Sequence, residues 1–113
     1  MIASLAKIEC DNISDWLSFH SEFSRVFGFP GFYGKNMDAW IDCMSSLNNP
    51  EEGMTTIHCE EGKRITIELK NAKKLKENHP EIFNAINECT AFVNYRLINS
   101  NQYAVLALSY ETT

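Results

Sequence analysis

No apolar run in this 113-residue chain approaches the ~20 residues that a membrane-spanning helix requires. The opening MIASLAKIEC has neither the basic start nor the apolar stretch of a secretory signal, so no membrane association and a cytoplasmic location are expected. Cysteine is never closely paired: Cys10, Cys43, Cys59 and Cys89 are irregularly spaced and no CxxC occurs. Three of the four fall in expected strands or on helical apolar stripes, which favours buried free thiols over disulfides. No repeat, low-complexity tract or linker interrupts the chain, and its length suffices for one core, so residues 1–113 are expected to form a single domain.

Positive charge is missing from one stretch. Residues 36–62 hold Asp38, Asp42, Glu51, Glu52, Glu60 and Glu61 and no Lys or Arg, within a chain of net charge −5. Acidity concentrated in this way disfavours direct binding of nucleic acid phosphates and suits a protein that itself carries a basic surface. The four glutamates read more readily as solvated loop charges.

Catalytic signatures are also lacking: HExxH, GxSxG, P-loop and GxGxxG are all absent. His58 and Cys59 are adjacent, so a strand would send them to opposite faces, and His79 and Cys89 follow at no recognised ligand spacing. Asp38 and Asp42 could serve as an acid–base pair, but no neighbouring motif residue would hold a substrate. No cofactor, no metal and no enzymatic activity are expected, a small enzyme remaining the least supported alternative.

What is present is the segment Phe32-Tyr33-Gly34-Lys35-Asn36-Met37-Asp38-Ala39-Trp40-Ile41-Asp42-Cys43-Met44. It reads as an aromatic loop, a glycine turn, an Asn36 cap and a helix to about Leu47. Met37, Trp40, Ile41, Met44 and Leu47 share the core-facing side, leaving Asp38 and Asp42 outward among Ala39, Ser45 and Ser46. Two carboxylates at i,i+4 repel by roughly 0.2–0.5 kcal/mol, and no Lys or Arg follows them on the helix to offset them. Asp38 suits the positive end of the helix dipole; Asp42 has no such local reason. A low-relief acidic face of this kind fits a cationic partner.

Elsewhere, residues 3–10 read as a strand, and Ser14 can cap a helix with Trp16, Phe19, His20, Phe23, Val26 and Phe27 on one stripe, stopped by Gly28 and Pro30. His20 is expected to be packed. Met54–Cys59 and Arg64–Leu69 suggest a hairpin across Glu60-Glu61-Gly62-Lys63, which would add one antiparallel strand. A short basic segment, Lys70–Glu77, precedes a helix starting near Pro80, with Ile82, Ala85, Ile86, Cys89, Val93 and Leu97 on its stripe. Residues 91–98 could be a strand instead, but the unbroken stripe favours helix. Tyr103–Tyr110 is apolar on both faces, as a covered central strand would be. The order implies a small α/β domain with a mainly parallel sheet.

The stretch Tyr33-Gly34-x-Asn36-x-Asp38-Ala39-x-x-Asp42-Cys43 resembles the signature of the barstar-like family of intracellular ribonuclease inhibitors. Met54-Thr55-x-Ile57-His58 and Cys89-x-Ala91-Phe92-Val93-Asn94 extend the likeness over most of the chain. The resemblance implies a three-stranded parallel sheet packed with helices, and a partner that is a ribonuclease toxin with a basic active site, bound by a chain that is monomeric when free. It implies that Asp42 enters that enzyme's phosphate pocket and Asp38 faces its other basic residues. Phe32 would be an aromatic contact (a tyrosine in the family) beside Tyr33, Gly34 and Asn36 would shape the turn and helix start, and Ala39 would allow close approach. Lys35 replaces an acidic residue, Ile41 a tryptophan and Ser46 a glycine, and Glu88 is the candidate for a further acidic contact. The alternative is a module of the same fold that binds some other basic protein.

Overall fold

A computed structural model describes residues 1–112. Strands β1 (Leu5–Glu9), β2 (Ile65–Lys70) and β3 (Leu106–Glu111) form one all-parallel sheet in the order β1-β2-β3, as the three-stranded expectation required. Helices α1 (Trp16–Phe27), α2 (Met37–Ser45), α3 (Ala72–Asn78) and α4 (Pro80–Asn99) make the connections. Paired residues in a parallel ladder point the same way, so Ala6, Ile67 and Leu108 line one row and Ile8, Leu69 and Tyr110 the next. Along β2 that face is fully buried at Ile65, Ile67 and Leu69, while Thr66, Glu68 and Lys70 alternate onto a half-buried polar face. There Lys70 lies 3.5 Å from Glu111 and 3.9 Å from Glu68. The apolar face is the one that packs against helices, chiefly α1 over β1 and α4 over β3.

Two expectations about the sheet are corrected here. The apolar C-terminal run is an edge strand, not the central one; β2 holds the centre. Nor does Met54–Cys59 form a hairpin with β2. Both ladders of β2 are already filled, with Ile65 N–H bonded to Val105 and Thr66 N–H to Ser4 at the ends of the two pairings. The 54–59 segment instead runs parallel to the N-terminus through the Ile2–His58 bridge, and hangs from the end of α1 and the turn after α2 by Thr56 N–H to Phe27 O (2.9 Å) and Cys59 N–H to Leu47 O (2.9 Å). Residues 91–98 are helical within the 20-residue α4, with Pro80 in its first turn.

Helix α1 is capped by Asp15, not Ser14: Asp15 Oδ1 accepts the Ser18 N–H at 2.8 Å, and Ser18 Oγ accepts the Asp15 N–H at 3.0 Å. A carboxylate at the positive end of the dipole outcompetes a neighbouring hydroxyl. The same helix is tied to the end of β1 by Glu22, a buried carboxylate accepting from Glu9 N–H, Asn12 Nδ2 and Arg25 Nε and Nη2. Burial alone would raise the Glu22 pKa, but these hydrogen bonds outweigh it and hold it below 4.5.

Gly28 ends α1 in the left-handed region (φ 68°), its N–H bonded to Ser24 O at 2.8 Å. A Cβ there would lie 1.9 Å from Thr56 Oγ1 and 2.7 Å from Thr56 Cβ. Gly28→Ala therefore combines left-handed strain with a clash that rotation of Thr56 cannot relieve. We expect it to destabilise the protein by about 2–3 kcal/mol, read as a lowered denaturation midpoint with an unchanged slope.

Candidate functional site

After Gly28 the chain turns back over α1, and Tyr33 fastens the turn. Its ring lies 4.6 Å from that of Phe29, and its hydroxyl is 2.5 Å from His20 Nδ1. Tyr33 is thus half-buried and anchors the loop, whereas Phe32 beside it is 75% exposed. Lys35 adopts φ 55°, a conformation costing about 1 kcal/mol for a non-glycine residue. Asn36 then caps α2 as expected: its side-chain oxygen accepts the Ala39 N–H at 2.8 Å, while its amide reaches Gly34 O at 3.4 Å. Asn36 and Gly34 therefore shape the helix start, and Ala39 packs there half-buried.

Within α2, Trp40, Cys43 and Met44 are buried. Trp40 meets Phe23 edge-on at 5.5 Å and Phe19 at 6.5 Å, which fixes α2 against α1. Asp38 and Asp42 both project to solvent. Their surroundings differ. Asp42 Oδ1 lies 3.3 Å from Arg96 Nη1 on α4, whereas Asp38 has no ion pair among the described residues. Asp38 does lie close enough to α4 to act on Cys89: burial pushes that thiol up, and the Glu88 and Asp38 carboxylates add to the effect. Helices α2 and α4 thus run side by side, Asp38 near Glu88 and Cys89, Asp42 beside Arg96.

Two hollows flank Asp42. One, of about 170 Å³, is lined by Phe32, Tyr33, Gly34, Ala39, Asp42 and Met54 among others. The second, of about 430 Å³, lies towards the ends of α2 and α4 and is polar, with Asn48, Asn49, Glu52, Arg96 and Gln102 in its wall. Asp42 and Met54 belong to both, so the carboxylate stands on the ridge between them. A family model described as Barstar (barnase inhibitor) matches residues 3–106, from ahead of β1 to the start of β3. The chain belongs to the barstar family. No curated protein gives a match.

All seven residues singled out in the sequence of this barstar-family chain lie on one loop and one helix, and five of them, Phe32, Tyr33, Gly34, Ala39 and Asp42, line the 170 Å³ hollow together. Three details differ from the reading of the helical wheel. Helix α2 ends at Ser45, and Ser46 is buried, not outward. Both serine hydroxyls turn back onto the helix, Ser45 to Ile41 O (2.7 Å) and Ser46 to Asp42 O (3.2 Å). The acidic face also has a basic neighbour, Arg96, 54 residues away in sequence. No local signal identifies it, because the register of one helix along another is set by packing. Among the described residues no helix could cross a membrane, and no three His, Cys, Asp or Glu side chains are placed to hold a metal ion.

The loop anchor carries a pH dependence. Burial, with Lys35 adding repulsion, lowers the His20 pKa from 6.5, and burial raises that of Tyr33, so both groups are neutral at pH 7. Below 6.5 the unfolded chain binds a proton more readily than the native one. The stabilisation is thus complete above about 6.5 and declines as pH falls through the native value. Because His58 is shifted the same way, the comparison that isolates His20 is His20→Leu. The variant is expected to flatten the fall in denaturation midpoint between about pH 7.5 and 5.5, a range above the ordinary carboxylate pKa values.

Proposed function

We propose that this chain is an intracellular immunity protein that blocks a ribonuclease by covering its active site with α2 and the preceding loop. A ribonuclease surrounds the scissile phosphate with Arg, Lys or His. A carboxylate on a rigid helix can take the place of the phosphate there through charge-assisted hydrogen bonds. Asp42 fills that role from the ridge between the two hollows, and Asp38 faces the adjoining cations. Phe32 supplies exposed apolar contact, Ala39 permits close approach, and Tyr33, Gly34 and Asn36 hold the presenting loop. The observation that carries this reading is the exposure of both carboxylates on one packed helix, in a chain of the barstar family.

The test is a titration of RNA cleavage by barnase, the enzyme in the family's description, and by ribonucleases of the host and its competitors. Activity should fall to an end-point at one chain per enzyme molecule. Full cleavage by every enzyme at large molar excess would overturn the proposal, and capture of a basic non-nuclease protein alone would replace it with a different binding role.

A further inference from the structure

We propose that Arg96 competes with a partner for Asp42 and so acts as an intramolecular brake on binding at this carboxylate; the inference rests on the inhibitor reading of the α2 face. Arg96 makes a single contact with Asp42, Nη1 to Oδ1 at 3.3 Å, with the two side chains 49% and 60% exposed. It is not the two-pronged arrangement of which a guanidinium is capable. A pair so exposed is weak, corresponding to roughly a two- to fivefold bias at most. It nevertheless occupies the carboxylate assigned to the phosphate pocket.

A scattered basic surface offers Asp42 nothing better than Arg96 already provides. A closed pocket of converging cations does, because its hydrogen bonds form away from water, where charge–charge attraction is stronger. The displaced side chain has somewhere to go: it already lines the 430 Å³ hollow, whose wall includes the Glu52 carboxylate and the side-chain amides of Asn48 and Gln102. Arg96 thus imposes the same small cost on every partner of Asp42, one that a nuclease cleft readily offsets.

The experiment measures Kd and association rate with barnase as the probe, at low and high salt, for the full chain and its Arg96→Gln, Asp42→Asn and doubly substituted forms. Arg96→Gln should bind roughly two- to fivefold tighter at low salt, with the gain shrinking at high salt and vanishing in the doubly substituted form. Arg96→Gln binding detected where the wild type shows none also supports the proposal. Equal or weaker binding, no binding by either form, or a gain that persists in the Asp42→Asn background overturns it. Asp42→Asn binding as tightly as wild type removes the inhibitor reading itself. Loss on Asp42→Asn without gain on Arg96→Gln removes only the role of Arg96.

Discussion

Asp42→Ala is expected to weaken inhibition of the target ribonuclease at least about thirtyfold, equivalent to about 2 kcal/mol or more, the range of a central interface residue. Two effects combine in the proposed complex. The charge-assisted bonds to the phosphate pocket are lost, and the partner's cations are left buried without a counter-ion. Because Arg96 acts through its contact with Asp42, adding Arg96→Ala to Asp42→Ala should change binding little further. Asp38→Ala, at the other end of the face, should act mainly by slowing association, with an effect that shrinks as salt rises. Inhibition constants at two salt concentrations check the pattern, and full potency of Asp42→Ala would remove the residue from the site.

Trp40→Ala should give the largest loss of stability, about 3–5 kcal/mol, seen as a melting temperature lower by roughly 10–20 °C. Trp40 is fully buried and joins α2 to the aromatic cluster of α1 through Phe19 and Phe23. Its removal leaves a cavity under the helix that carries both aspartates, so binding should weaken with stability. The indole Nε1 has no hydrogen-bond partner among the described residues. Trp40→Phe therefore sacrifices no bond and should cost clearly less than the alanine variant. Equal destabilisation by the two would show that the nitrogen, not the packed volume, matters there.

Why some of this could be read from sequence and some could not follows from the range of the interactions. Asn36, Gly28 and the stripes of α1, α2 and α4 act within a few residues, and a helical wheel captures them. Interactions between distant segments left less trace. The run 103–110 is apolar whether it lies at the centre of a sheet or at its edge, and only the pairing of β2 on both sides decides it. Met54–Cys59 has the alternation of a strand, but no free edge of β2 is open to it. At the site, the residues of the loop and α2 were legible because they are contiguous. Arg96 was not, since it depends on how α4 lies along α2. Ser46 was misplaced because α2 ends two residues sooner than its apolar pattern does.

The bond between Tyr33 and His20 has a consequence for kinetics. It seats the presenting loop on α1 before any partner arrives, so Phe32 and the start of α2 reach the encounter already shaped. Little chain entropy remains to be lost on association. In the proposed complex the association rate should then be governed by diffusion and mutual orientation, as for rigid-body docking, and its temperature dependence should follow the viscosity of water.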